Sequence, residues 1–152
     1  LETHLTLNFL SAYVHHHKYY LEAWRAKGLS WNWGAALFGV AWFAYRKMYG
    51  WATVIYLVNL FVGFALGAMV LDDATFNEVY ILFALFQRAI FGLTSNFLYY
   101  VSAVRKIKKA HSNNAMLDIE DTRKLGGVSV RGVVVVVLVN IGFSLLDVLL
   151  TS

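Results

Sequence analysis

Cysteine and proline are both absent from the 152 residues. Without cysteine there is no disulfide framework, no thiolate nucleophile and no cysteine metal site. Without proline, no helix is broken by a missing backbone N–H. Charge is scarce as well. Charged residues make up 14% and hydrophobic residues 59%, against a charged share of about 25% in soluble domains. That deficit puts the chain in the membrane class, and its length makes it one domain. The motifs of common catalysts are also missing. There is no phosphate-cradling glycine loop ahead of Lys-Ser or Lys-Thr, no H-E-x-x-H and no G-x-S-x-G. No two carboxylates share one face of an apolar span, as general acid–base chemistry would need. The expectation is a protein that is not an enzyme.

What is present is a set of long apolar runs bounded by charge. Gly50 to Leu71 holds 22 uncharged residues and ends at Asp72-Asp73. Val79 to Val101 is a second run, interrupted by Gln87-Arg88 near its middle and closed by Arg105, Lys106, Lys108 and Lys109. Val130 to Leu150 is a third, with five consecutive valines from Val133 to Val137. Valine runs favour strands in water, but an isolated strand in lipid leaves backbone groups unpaired, so helix is expected. The spacing thus predicts an all-α integral membrane protein with spanning helices over 50–71, 79–101 and 130–150. A short acidic loop, 72–78, joins the first two. Residues 105–127 form a cytoplasmic loop, with a short acid-to-base helix ended by Gly126-Gly127, and Ser129 caps the last helix.

Ahead of these runs, Leu5, Phe9, Tyr13, His17, Tyr20 or Leu21, and Trp24 make a stripe at spacings of three and four. Ser11, His15, Lys18, Glu22 and Arg25 take the other face. Residues 1–28 therefore read as an amphipathic cytoplasmic helix stopped near Gly28, lying on a bilayer or packed on the protein's own cytoplasmic face or on a partner. The triplet His15-His16-His17 is not a metal site, because successive helical residues point about 100° apart and ligands need spacings of three or four.

Between stripe and spans lies 30–49. Trp31 and Trp33 flank Asn32, twelve uncharged residues run from Gly34 to Tyr45, and Arg46-Lys47 follow. Twelve helical residues reach about 18 Å, short of a core of about 30 Å. This stretch is expected to dip into the cytoplasmic leaflet or lie along it without crossing, with Trp31, Trp33, Trp42, Tyr45, Arg46 and Lys47 as interfacial anchors.

The run Ser30-Trp31-Asn32-Trp33-Gly34-Ala35-Ala36-Leu37-Phe38-Gly39, then Trp42 and Tyr45-Arg46-Lys47-Met48-Tyr49, resembles the signature of a small bacterial inner-membrane family, domain of unknown function 2628. The resemblance resumes at Gly92, Asn96 and Tyr99-Tyr100, and again at Gly126-Gly127-Val128-Ser129, so it covers most of the chain from Ser30 onward. The family usually carries proline where Val40 stands, so a sharp bend is not expected at that point. The resemblance implies a bacterial membrane protein and no reaction.

Two groups of residues are singled out within the spans. Asn59, Gln87, Arg88, Asn96, Asn140 and Asp147 are expected to meet as one intramembrane polar layer, with Arg88 paired to Asp147, because a lone arginine at the bilayer centre costs about 2.5–3.5 kcal/mol. Gly63 and Gly67, in a G-x-x-x-G, and Gly92 are expected at helix-packing contacts. Of the 13 Lys and Arg, all but Arg88 fall on one side of the three spans, while Asp72, Asp73 and Glu78 fall on the other. This is the positive-inside pattern, with the N-terminus cytoplasmic and the C-terminus periplasmic in a bacterial inner membrane.

The net charge of +4 is spent on that topology and not on nucleic acid. The expected partners are membrane lipid and other membrane subunits, or self-association. The leading expectation is a non-catalytic accessory or structural subunit of a larger assembly with no cofactor. Its rivals are a small oligomeric channel or transporter with a polar midplane, and a quinone- or haem-binding redox subunit.

Overall fold

The computed structural model describes residues 2–15, 17–25, 29–69, 72–113 and 118–151. Every element among them is helical: α1 (Glu2–Tyr13), α2 (Lys18–Arg25), α3 (Trp33–Phe38), α4 (Val40–Tyr45), α5 (Tyr49–Ala68), α6 (Asp73–Asn113), α7 (Ile119–Leu125) and α8 (Val130–Thr151). Three stretches are long and apolar enough to cross a membrane: Tyr49–Ala68, Ala74–Ser112, and Ile119–Leu145, whose apolar part is α8. Their outer faces carry large apolar side chains such as Phe61, Phe64, Leu82, Phe86 and Leu138, all exposed. Water would penalise such a surface, and lipid would not.

The expected spans recur as α5, α6 and α8, but α6 is longer than the apolar run suggested. It begins at Asp73 and continues to Asn113, 41 residues in all, or about 60 Å at 1.5 Å per residue. Residues 73–78 are therefore its first turns and not a loop, with Asp72 accepting from the Thr75 N–H at 3.0 Å. Residues 105–113 are likewise its last turns. Nothing in Tyr99–Asn113 breaks a helix, and Ala103, Val104 and Ile107 pack into the core. The short helix within the expected loop is α7, capped by Asp118, acidic first and basic last. Ser129 caps α8 by accepting from the Gly132 N–H at 3.1 Å.

Two expected helices are broken. The amphipathic stretch divides into α1 and α2, with His15 at φ 52°. There the chain turns so that Tyr13 O accepts from the Gly127 N–H at 3.0 Å and a His15 ring nitrogen lies 3.1 Å from Arg123 O. Of its stripe, Tyr13 and Tyr20 are buried, Phe9, Leu21 and Trp24 are half-buried and His17 is exposed, so this stretch packs on the protein itself. His16 and Gly28 lie outside the described residues.

The second break is at Gly39. Its φ of 51° with ψ −126° is a conformation L side chains rarely adopt, and α3 turns back there into α4. A straight helix would hold residues 34 and 42 about 12 Å apart, yet a Cβ on Gly34 would stand 2.9 Å from Trp42 Cδ1. Contacts along α6 trace the same reversal. Trp31 covers Gly92, Leu37 reaches Arg88, and Phe43 returns to Phe91 with ring centroids 5.3 Å apart. The sharp bend at this point, not expected without the proline, comes from the glycine instead. The hairpin forms the centre of the bundle, α3 packing along α6 and α4 packing against α5 and α8.

Candidate functional site

Asn32 enters the hairpin as a helix cap. Its Oδ1 accepts from the Ala35 N–H at 3.0 Å, satisfying one of the orphan donors of α3. Its backbone N–H donates to Gly92 O at 2.7 Å, and its Nδ2 donates to Asn96 Oδ1 at 2.7 Å. Asn96 Nδ2 in turn donates to Tyr19 Oη at 2.9 Å and Ser30 Oγ at 2.8 Å, while Trp24 Nε1 donates to Asn96 O at 3.0 Å. Both asparagines are buried, and buried amides must be paired. This hub fastens α2, the hairpin and α6 together. Gly92 is part of it. A Cβ there would sit 2.7 Å from the Trp31 ring, so only glycine admits the indole.

Below the hub, toward the cationic end of α6, lies an aromatic nest around Arg46. Its Cζ stands 4.5 Å from the Tyr20 ring centroid, 5.5 Å from Tyr99 and 5.6 Å from Tyr45. Its Nη2 donates to Tyr20 Oη at 2.7 Å. A guanidinium over several rings gains cation–π attraction that grows with desolvation. Trp42 is 6% exposed and packs edge-on to Phe43 and Tyr99. Trp42 is therefore a core element and not an interfacial anchor, and Arg46 is half-buried, because the hairpin folds them against α6. Lys47 is also engaged, donating to Lys124 O at 3.1 Å. Trp33, 69% exposed, stays on the surface with Trp31 beside it. Burial pushes the Tyr13 phenol well above its ordinary pKa. The neighbouring Tyr99 adds to the rise and Arg46 opposes it.

At the other end of the hairpin, Arg88 closes its tip. Its Nη1 donates to Leu37 O and, at 3.4 Å, to Ala36 O. These are last-turn carbonyls of α3, where a helix leaves acceptors unpaired and favours positive charge. Beyond the tip the three long helices do not close on one another. A cavity of about 640 Å³ opens between them, lined by Phe38, Tyr56, Asn59, Gly63, Gln87, Arg88, Phe91 and Asn140 among others. Gln87 Nε2 donates to Asn59 Oδ1 across it at 3.0 Å. Asn140 Nδ2 returns to its own helix at Val136 O, 2.8 Å away. The cavity is mostly apolar with a few polar groups, which is the character of a binding cleft.

The expected single polar layer thus divides. Asn59, Gln87, Arg88 and Asn140 share the cavity. Asn96 belongs to the hub eight residues along α6, about 12 Å away at 1.5 Å per residue, because the Ser30–Asn32 segment draws it in. Arg88 is held by backbone carbonyls, and the Asp147 side chain lies outside the described residues. Gly63 and Gly67 have nothing within 4 Å of where a Cβ would stand, so their packing face is open within the chain. Among the described residues no three His, Asp or Glu gather as metal ligands. The hub was missed in the sequence, although an Asn just ahead of a helical run is a capping signal that could have exposed Asn32.

A family model described as Protein of unknown function (DUF2628) matches residues 7–105. The match takes in α1 from Leu7, the hairpin, α5 and most of α6, hence the hub, the Arg46 nest and two walls of the cavity. It begins upstream of Ser30 and ends ahead of Gly126. No curated protein and no solved structure matches the chain.

Proposed function

The chain belongs to the DUF2628 family, and from that footing we propose that it is a non-catalytic accessory or structural subunit of a bacterial inner-membrane assembly. In this reading α5, α6 and α8 span the bilayer, the N-terminus is cytoplasmic and the C-terminus periplasmic. The hairpin enters and leaves on the cytoplasmic side. The distribution of Lys and Arg supports the orientation.

The observation that carries the subunit reading is the unclosed cleft beyond the hairpin tip, bordered by the bare face of Gly63 and Gly67. Small residues at spacing four let a second backbone approach closely, and side-chain amides within the apolar layer hydrogen-bond across helices. The fitting occupant is a spanning helix of another subunit. A photo-crosslinking residue at position 63 or 67 is expected to give one discrete adduct in cells, and one at exposed Phe61 none. No adduct from either position, together with a protein that purifies as a monomer in mild detergent, would overturn the reading.

A second reading is a small conducting oligomer, favoured by the convergence of Asn59, Gln87, Arg88 and Asn140 on one cavity. Ion flux through reconstituted vesicles, lost in Arg88→Leu, would support it over the first. A haem-binding redox subunit would declare itself in the optical spectrum of the purified protein.

A further inference from the structure

A second groove runs along the outside of the hairpin. Its volume is about 520 Å³, and Arg46 stands at one end with Phe38 and Ala41 toward the other. Trp33 and Val133 also line it, and no acidic residue does so among the described residues. Three observations describe what it would accept. First, Arg46 meets aromatic rings and no carboxylate among the described residues. The ion pairs among the described residues are Arg123–Glu120 and Lys124–Asp121, both within α7. Second, a guanidinium has five N–H donors, and those of Arg46 are only partly used, by Tyr20 Oη at 2.7 Å and by the Tyr99 phenol. Third, the groove is long and apolar away from Arg46. The six residues of α4 span about 9 Å, the better part of one leaflet when the whole apolar core is about 30 Å thick.

We infer that this groove holds an anionic phospholipid, its phosphate on Arg46 and one acyl chain along Ala41, Phe38 and Val133. The charge complementarity is that of basic pockets between membrane helices, which select anionic head groups. The apolar floor rejects a free phosphate, which would leave it uncovered. The inference rests on the chain spanning a membrane and not on the subunit reading: the groove adjoins the cleft at Phe38 and Ala41, but Arg46 lines the groove and not the cleft.

The full chain in phosphatidylcholine vesicles supplies the test, because Trp31, Trp33 and Trp42 line the groove and brominated acyl chains quench tryptophan. Brominated phosphatidylglycerol is expected to quench with a binding constant about fivefold above that of brominated phosphatidylcholine, the increment of about one basic residue. Arg46→Gln should bring the ratio to about one, and Arg46→Lys should keep part of it. Val133→Phe, which narrows the chain-binding part and leaves Arg46 untouched, should also lower it, so the inference stays testable if Arg46→Gln fails to fold. Soluble glycerol phosphate should not displace the lipid. Equal constants for the two lipids in the unaltered protein, or displacement by glycerol phosphate, would overturn the inference.

Discussion

Asn32 Nδ2 and Asn96 Oδ1 share a buried hydrogen bond of 2.7 Å across 64 residues of sequence. Each residue has further partners, so neither can be removed without stranding others. Asn96→Leu leaves the Asn32 amide and the Ser30 and Tyr19 hydroxyls without their shared partner. A buried group stripped of its hydrogen bond costs about 1–3 kcal/mol. We expect Asn96→Leu to destabilise by at least that much in denaturant titrations in detergent micelles, and Asn32→Ala by a similar amount. A loss below 0.5 kcal/mol, of the order of an ordinary surface substitution, would remove the hub from the account.

Arg88 holds the carbonyl end of α3. Arg88→Leu should free the hairpin tip, seen as faster amide exchange at Gly39 and Val40. Arg88→Lys should keep part of the protection, because a positive charge still favours a helix C-terminus by about 0.3–1 kcal/mol. Unchanged exchange in Arg88→Leu would contradict this role of Arg88.

Gly39 and Val40 carry opposite expectations. Gly39→Ala forces a side chain into φ 51° and brings its Cβ within 3.2 Å of Arg88 Cζ, at a cost of about 1–3 kcal/mol for a strained backbone. Val40 is the first residue of α4, a position where proline sacrifices no helical hydrogen bond. Val40→Pro should therefore be neutral or stabilise by about 0.4–1 kcal/mol through the unfolded chain. Thermal unfolding of the two variants checks both signs at once.

Much of this architecture was legible in the sequence. Long apolar runs specify α5 and α8, and caps at Asp118 and Ser129 follow local rules. The turn at Gly39 was not legible, because glycine permits a positive φ without announcing one. Nor was the burial of Trp42 or the half-burial of Arg46. A Trp or Arg beside an apolar run reads as an anchor until Tyr20 and Tyr99, brought from distant parts of the chain, surround it. The division of the polar layer was hidden for a similar reason. Spacings of four put Arg88, Gly92 and Asn96 on one face of α6 but did not reveal that the hairpin would meet Arg88 and Asn96 separately.

At the far end of α6, Thr75 donates to Asp72 through both its N–H and its hydroxyl, at 3.0 and 2.6 Å. These bonds hold the Asp72 carboxyl below its ordinary range, the side-chain bond contributing most. A depressed folded pKa means that the cap's stabilisation is present above the unfolded pKa and is lost as pH falls through the folded one. Thr75→Val should raise the Asp72 pKa, read by NMR of the carboxyl carbon, so that the first turn of α6 frays at a higher pH. An unmoved titration would exclude Thr75 as the cause.

The central claim is that residues 30–49 enter and leave on one side, and the lack of native cysteine makes its test clean. Single cysteines at Leu29, Phe38, Tyr49 and Asp72 would be probed with a membrane-impermeant maleimide applied to intact cells and to inverted vesicles. The account predicts that positions 29 and 49 label from the same face, position 72 from the opposite face, and position 38 from neither. Labelling of positions 29 and 49 from opposite faces would mean that the hairpin crosses the membrane, and would contradict it.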